Sequence, residues 1–517
     1  MTFNNLLTEQ AAASLAHKIV SSEQVRALEP QAALDAGTTL FDLMQRASES
    51  AFAQLQQSWP QAQRIIVLAG NGNNAGDGYV LATLAKEHGL DVCVCCQEPD
   101  RVLAGDAKQA QLNWKNAAGD THSFSEVNYT ECDLIVDALL GTGLNGPVKP
   151  KVVEVIQRAN QSKRPVLSID IPSGMHADTG QALPVCIKAD LTITFVATKP
   201  GLVTGAGKEH TGRLVYADLS IGKSFFALAS QAAQVVDWSM LQSLKVRPIH
   251  ANKGTFGKLL CIGGNQGMAG AIRLSAESAL RAGVGLVKVY CHDTSRALVS
   301  AGRPEIMLAD KNLKEALEWC SCILIGPGLG QDDWAYQHVS RLMGYLQSQP
   351  KPVVLDADGL NLLGKMSDDV GMQEVLAKLP ALILTPHPGE ASRLLYCDIE
   401  TIESDRYEAC QKIANKYHCV CVLKGAGTVI QTDNSRFQAS SWICQGGNPG
   451  MATGGMGDLL TGITAAFLAQ GMFAQQAAIY AVCAHAEAGD RVATQYGQRG
   501  MIASDLLSPL RTIVNGL

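Results

Sequence analysis

Short apolar runs rich in β-branched residues alternate along this chain with longer stretches in which apolar positions return every three or four residues. The first pattern predicts buried strands, the second amphipathic helices. Ser22-Glu-Gln-Val opens a helical stretch that continues through Leu40-Phe-Asp-Leu-Met-Gln-Arg-Ala47 to Leu55, with a break expected near Pro30. Arg64-Ile-Ile-Val-Leu-Ala69 then reads as a strand, followed by a Gly/Asn-rich loop and a helix over 79–88. The order repeats as strand 91–96, helix near 104–117, strand 134–140, a second glycine loop, helix 152–159 and strand 166–171. Strand 191–196 and the segment 212–218 complete this half. Such alternation predicts an α/β fold with a parallel sheet covered by helices on both faces.

Between about 223 and 247 the motif density falls, which predicts a linker and two domains, 1–230 and 231–517. A second glycine-rich system starts at Lys253-Gly-Thr-Phe-Gly257 and runs through strand 259–262, the loop 263–270 and a helix over 271–283. Apolar runs then end in Gly326-Pro-Gly-Leu-Gly330, Asp356-Ala-Asp358, Thr385-Pro-His-Pro-Gly-Glu390, Lys424-Gly-Ala-Gly-Thr428 and Gly454-Gly-Met-Gly-Asp458. Polar clusters that close successive parallel strands gather at one carboxyl edge, which predicts a ligand cleft there. The apolar stretch 459–483 is interrupted by Gln470, Gln475 and Gln476, and so predicts core helices with no membrane span.

Composition narrows the function classes. With 517 residues, 47% hydrophobic and 17% charged, the chain is globular and too long for one ordinary core. A net charge of -6 gives no global basic field, which disfavours nucleic acid and membrane surfaces and favours small-molecule partners. Fifteen cysteines without a basic and apolar leader after Met1 predict reduced thiols and a cytoplasmic protein. Cys93, Cys95 and Cys96 contain a C-x-x-C spacing, but Val92-Cys-Val-Cys-Cys96 reads as a buried strand with cysteine as a small hydrophobe.

Gly70-Asn-Gly-Asn-Asn-Ala-Gly-Asp-Gly78 follows a strand and opens a helix, where backbone N–H groups and the helix dipole favour phosphate; the bland alternative is a tight turn. The second loop, Gly141-Thr-Gly-Leu-Asn-Gly146, fits G-x-G-x-x-G after its own strand. Asn74, Asp137, Asp170 and Ser173 add hard oxygen donors and a candidate proton carrier, though both aspartates could serve as loop caps. In the C-terminal half, amides before the helix expected from Leu459 can form an anion hole, with Asp458 placed to take a proton from an attacking hydroxyl or simply to cap the helix. His387 could bind substrate or be a hydrogen-bonded loop residue, and Asp356, Asp358 and Asn361 could be a metal shell or strand-end caps. Gly207-Lys208 is followed by Glu209, so no P-loop is present.

Asn73-Asn-Ala-Gly-Asp-Gly78, Asp137-Ala-Leu-Leu-Gly-Thr-Gly143, Ser168-Ile-Asp-Ile-Pro-Ser-Gly174 and Thr198-Lys-Pro-Gly201 together resemble the NAD(P)H-hydrate epimerase family. The resemblance implies a Rossmann-like fold. It also implies that the hydrated dinucleotide meets Asn73, Asn74, Ala75, Gly76 and Asp77, then Gly141, Thr142, Gly143, Leu144, Asn145, Gly146 and Pro147, and finally Asp170. Because the ring nitrogen can expel the hydroxyl with only modest acid/base help, Asp170 is the expected proton carrier. It further implies a potassium ion held by Asn74, Asp137 and Ser173. Ala75 and Ser48 stand where the family usually has glycine, and the Ala75 methyl is expected near the ligand.

The motifs from Lys253 through Gly326-Pro-Gly-Leu-Gly330 and Thr385–Glu390 to Gly454–Asp458 resemble the NAD(P)H-hydrate dehydratase family, which implies a ribokinase-like α/β fold. By matching positions, Ala271, Gly328, His387 and Asp458 would contact the hydrate, while Lys424, Gly425, Ala426, Gly427, Thr428 and Gly457 would hold the adenine nucleotide. Together the two halves resemble bifunctional repair enzymes of the bacterial type. That implies epimerisation of the R and S forms of NADHX and NADPHX, then dehydration of the S form with ADP, releasing AMP and phosphate. Magnesium and a homo-oligomer are expected alongside. The rivals are a ribokinase-like kinase for a small molecule, with a stable phosphorylated product, and a dinucleotide sensor without turnover.

Overall fold

The computed structural model describes residues 6–8, 10, 14–366, 370–433, 435 and 441–517; Met1 to Asn5, where no leader is read, lie outside them. The chain divides into two compact units, Ser14–Gln234 and Val235–Leu517, the second joined by the described residues before Ser14. The division falls slightly after the expected break at 230. Leu6 and Leu7, expected in the first domain, instead pack in the core of the second unit, and the Thr8 amide donates to the Met240 carbonyl at 2.8 Å.

In the N-terminal unit, β1 (Lys18–Ile19) pairs antiparallel with Ala233 and Gln234. The sheet itself uses β2 (Arg64–Ala69), β3 (Asp91–Cys96), β4 (Asp120–Ser123), β5 (Leu134–Ala138), β6 (Val166–Ile169), β7 (Leu191–Phe195) and β8 (Arg213–Ala217). Its order is β4-β3-β2-β5-β6-β7-β8, parallel throughout. Because successive side chains of a strand face opposite ways, Ile65, Val67 and Ala69 of β2 enter one core cluster, and Ile66 and Leu68 the other. Helices on both faces therefore explain why the strands read as unbroken apolar runs. Each fully buried Val or Leu contributes about 1.5–3 kcal/mol. β3 carries Cys93, Cys95 and Cys96, as the strand reading expects.

Several boundaries differ from expectation. Pro30 lies inside the helix Ser22–Asp35, and the break comes at Gly37 (φ 68°), after which Thr39 caps the helix Leu40–Ser58 in a capping box with Asp42. The helix after β2 begins at Asn73, so most of the expected loop is already helical. The polar Asp-Thr-His-Ser run of β4 lacks an apolar signature and is held as an edge strand by backbone pairing with β3. The expected linker contains the helix Gly222–Leu228 and β9 (Ala233–Val236).

The C-terminal unit runs through β10 (Lys258–Ile262), β11 (Leu286–Tyr290), β12 (Ile306–Leu308), β13 (Cys322–Ile325), β14 (Val353–Leu355), β15 (Leu382–Leu384), β16 (Val420–Leu423), β17 (Thr428–Thr432) and β18 (Ser441–Cys444). The spatial order is β12-β11-β10-β13-β14-β15-β16-β17-β18, parallel up to β16 and antiparallel for the last two pairings. The apolar stretch 459–483 forms core helices Met456–Ala469 and Ala474–Tyr496. No helix among the described residues is long and apolar enough to cross a membrane.

Candidate active sites

In an open parallel sheet, ligands bind beyond the carboxyl ends where strand order reverses. In the N-terminal unit that point lies between β2 and β5. The two chains meet there so closely that a Cβ on Gly70 would stand 1.8 Å from the Leu139 carbonyl oxygen, so only glycine fits. Asn74, in the first helical turn after β2, donates from Nδ2 to the Leu140 carbonyl at 3.0 Å, while its buried Oδ1 has no partner.

Asp137, at the end of β5, is fully buried and takes Ser168 Oγ and the Ser173 amide at 2.8 Å, Ser173 Oγ at 2.5 Å and the Leu139 amide at 3.3 Å. All four donors are neutral, and burial outweighs them, pushing its carboxyl above the usual range. Asn74, Asp137 and Ser173 are therefore brought together, through Leu140, as expected. A buried acid, an orphaned amide oxygen, a hydroxyl and a carbonyl are hard oxygen donors around excess negative charge, and they fit a monovalent cation.

Asp170 follows β6 in a left-handed backbone conformation, φ 65°, unusual for a residue with a Cβ. Its Oδ1 meets the Lys199 ammonium at 2.5 Å, Thr194 Oγ1 at 3.2 Å and the Phe195 amide at 3.3 Å. Lys199 sits in the quoted Thr-Lys-Pro-Gly motif with no role predicted for it; the available signal is a lone lysine closing an apolar strand. Glu29 and Asp77 feel this pair. Burial is the first cause holding both carboxyls above their usual range, and the charge of Asp170 adds to each rise.

Ala75 differs from expectation. Its methyl is fully buried in the core and its amide already donates to the Gly72 carbonyl, so the methyl does not line the ligand surface. Ser48 is accommodated because its hydroxyl donates to the Met44 and Asp77 carbonyls at 2.8 and 2.9 Å. In the second loop, Thr142 receives Arg26 through its carbonyl at 2.9 Å, a contribution from the first helix that sequence spacing does not reveal. Gly143, Asn145 and Pro147 are exposed, and Gly141, Thr142, Leu144 and Gly146 half-buried.

The C-terminal cleft collects the ends of β13 to β16. Gly328 (φ 59°) leaves no room for a side chain, since its Cβ would lie 2.4 Å from the Met268 carbonyl and 3.3 Å from the Ala271 methyl; those two expected substrate contacts are adjacent. Asp356, just after β14, takes Lys424 Nζ at 2.7 Å and Thr461 Oγ1 at 2.5 Å, and Lys424 also reaches Glu390 at 3.5 Å. Asp358 accepts from the Gly330 amide at 2.9 Å and from Asn361 at 3.1 Å. The acids therefore pair and cap. No group of three or more His, Cys, Asp or Glu among the described residues could hold a metal ion.

His387 caps the helix Pro388–Leu395, accepting from the Gly389 amide at 3.0 Å with Nε2 3.4 Å from Glu390. Burial first, then the Lys424 charge, lower its pKa and favour the neutral ring. Gly457 and Asp458 lie in the first turn of the helix Met456–Ala469, which begins earlier than the expected Leu459. A Cβ on Gly457 would stand 3.4 Å from Lys424 Nζ. Asp458 is pushed up to about 6 by burial and by Asp356, with Lys424 opposing. Arg406 is buried beneath the Lys424 loop and donates to the Leu423 and Lys424 carbonyls at 3.3 and 3.1 Å. Asp490 holds the next loop, accepting from the Gly447 amide and Asn448 Nδ2, each at 2.8 Å. Neither residue is predicted from sequence, because their partners are distant backbone groups.

Two open sheets, one parallel and one mainly parallel, each with acids and glycine loops at its carboxyl edge, define a two-unit α/β enzyme. Residues 40–201 match the family model described as YjeF-related protein N-terminus, and 259–511 the model described as NAD(P)H-hydrate dehydratase. A bifunctional NAD(P)H-hydrate repair enzyme from Escherichia coli is 42% identical over 508 residues, 97% of this chain and 95% of its own. One from Coxiella burnetii is 40% identical, covering 96% and 99%, and one from Leishmania braziliensis 36%, covering 97% and 94%. A solved ADP/ATP-dependent NAD(P)H-hydrate dehydratase from Bacillus subtilis, co-crystallised with ATP and Mg2+, is 27% identical over 53% of this chain and 94% of its own, with a TM-score of 0.45. This chain belongs to the family of bifunctional NAD(P)H-hydrate repair enzymes.

Proposed function

We propose that the N-terminal unit epimerises the R and S hydrates of NADH and NADPH, and that the C-terminal unit dehydrates the S form with ADP, giving AMP and phosphate. The observation that carries the reading is that a chain matching bifunctional repair enzymes over nearly its full length carries an acid at each site, Asp170 after β6 in one unit and Asp458 at a helix start in the other.

The hydrate carries its hydroxyl on the ring carbon beside the nitrogen. The nitrogen lone pair expels that hydroxyl as water once it gains a proton, and water returns on the other face as it gives one up. Asp170 carries the proton, an assistance worth roughly 10²–10⁴-fold. Asn73 and Asp77 at the first helix, the loop 141–147 and Asp170 surround the ligand; Ala75 and Gly76, which are buried, shape the helix start from below. Asn74, Asp137 and Ser173 would hold potassium, whose charge would offset the buried Asp137 and draw ligand oxygens to the strand ends.

In the second unit Asp458 accepts the proton of the ring hydroxyl as its oxygen attacks the terminal phosphorus of ADP. The bond to AMP breaks. The ring nitrogen then expels phosphate, and loss of a proton from the neighbouring ring carbon restores the dihydronicotinamide. Amides at the start of the helix Met456–Ala469 stabilise the phosphoryl oxygens, since positioning and electrostatics dominate such transfers. Lys424, Gly425, Ala426, Gly427, Thr428 and Gly457 hold the nucleotide, and Ala271, Gly328 and His387 the hydrate. With Asp356 already paired to Lys424 and Thr461, magnesium would arrive on the nucleotide phosphates, not in a preformed protein cage. Most of the fifteen cysteines are buried in the manner of small apolar residues, which supports a reducing, cytoplasmic setting.

The test mixes both hydrate epimers with the protein and follows recovery of dihydronicotinamide absorbance with ADP, ATP or no nucleotide. Complete conversion with ADP is expected. Conversion that stops when one epimer is exhausted would remove the epimerase, and a stable phosphorylated product would favour the kinase instead.

A further inference from the structure

We infer that Lys199 is the positioning residue of the N-terminal site: it pins one carboxylate oxygen of Asp170 and thereby assigns proton carriage to the other. The inference rests on the reading of Asp170 as proton carrier. The Lys199 side chain is only 1% exposed, so it cannot serve as a mobile surface cation. An ammonium has three N–H donors. Those of Lys199 go to Asp170 Oδ1 at 2.5 Å, Thr194 Oγ1 at 3.1 Å and the Phe195 carbonyl at 2.9 Å, leaving none for a substrate.

Asp170 is gripped just as unevenly. Oδ1 receives Lys199, the Thr194 hydroxyl and the Phe195 amide, whereas among the described residues no hydrogen bond reaches Oδ2. The Thr194 hydroxyl accepts from Lys199 and donates to Asp170, which closes a small ring of hydrogen bonds around Oδ1. The left-handed backbone at Asp170 is a conformation that persists only where surroundings over-determine it, and its amide is held by the Ile193 carbonyl at 2.7 Å. The loop after β6 is thus fastened to the end of β7, and the carboxylate turns about a fixed Oδ1. The Lys199 charge also reaches Glu29, but the only carboxylate the ammonium meets in an ion pair among the described residues is that of Asp170, so Lys199 serves Asp170 as its counter-charge.

The experiment compares full-length Lys199→Met, Asp170→Asn and the double variant. Epimerisation is measured on the R hydrate, and dehydration on the pure S hydrate reports separately on the C-terminal unit. Lys199→Met is expected to lower the epimerase kcat about 10²-fold, the scale of misplacing a catalytic group by an ångström. KM for the hydrate should stay within about twofold and dehydration should be unchanged. Added to Asp170→Asn, the same substitution should cost nothing more, because its effect passes through Asp170. The double variant leaves neither member of the ion pair buried without the other, so it decides the matter even where Lys199→Met does not fold: equality with Asp170→Asn supports the inference, and a further loss overturns it. A parental kcat in folded Lys199→Met beside a reduced one in Asp170→Asn overturns the inference alone. A parental rate in Asp170→Asn overturns the reading of Asp170, and the role of Lys199 with it.

Discussion

Lys424 holds its ammonium 2.7 Å from the Asp356 carboxylate, and Asp458 feels both charges. Asp458 is held up to about 6 by burial and Asp356, so it is a base above that pH and protonated below it. Dehydratase kcat/KM should therefore fall as pH drops through about 6. Lys424→Met removes the charge that lowers the Asp458 pKa, and should move this acid limb to higher pH. A pH–rate profile of the folded variant with an unmoved limb would show that the coupling is absent.

Asp458→Asn keeps shape and one hydrogen-bonding oxygen but removes the base. Dehydration of the S hydrate should drop by at least 10²-fold while interconversion of the epimers continues. Joint loss of both activities in a folded protein would contradict the separation of the two sites.

Asp490 lies on the helix Ala474–Tyr496 and bonds the loop ahead of the helix Met456–Ala469 through Gly447 and Asn448. Asp490→Ala strips both bonds, each of a kind worth about 1 kcal/mol or more. KM for ADP should rise roughly tenfold, or about 1.4 kcal/mol, with epimerisation unchanged. Steady-state kinetics with varied ADP measure this directly.

Potassium dependence gives a test of the orphaned Asn74 oxygen. Epimerisation by the parent should be faster in potassium chloride than in choline chloride at equal ionic strength, and KCl should raise the melting temperature of the N-terminal unit. Asn74→Ala should abolish the thermal shift. A parent indifferent to the choice of cation would remove potassium from the site.

Ala75 offers a control. Because its methyl packs in the core of a helix and not on the ligand surface, Ala75→Gly should cost about 1 kcal/mol of stability and leave KM for the hydrates unaltered. A change in KM without one in melting temperature would place the methyl at the ligand after all.

Much of this architecture was legible before folding. The apolar runs 65–69 and 134–138 are short and rich in β-branched residues, which reads as strand, and they fill two faces of a covered sheet. Boundaries failed where local signals mislead. Pro30 reads as a breaker, yet the helix Ser22–Asp35 continues through it and ends at a glycine with positive φ. The polar strand Asp120–Ser123 exists because a neighbouring backbone pairs with it, which composition does not encode.

Chemistry divides along the same line. Glycine loops, strand-end acids and helix starts depend on neighbours in sequence, so Asp137, Asp170, Asp458 and the loops beside them can be read from the chain as it is written. Which charge meets which depends on strand order. Lys199 reaches Asp170 across 29 positions, Asp490 reaches Gly447 across 43, and Lys424 reaches Asp356 across 68. The two lysine pairings arise only when parallel strands align their carboxyl ends and exclude water, because a lysine and an acid so far apart in sequence have no reason to meet in a solvated chain. Asp490 meets the Gly447 amide only once the helix Ala474–Tyr496 lies beside the loop after β18.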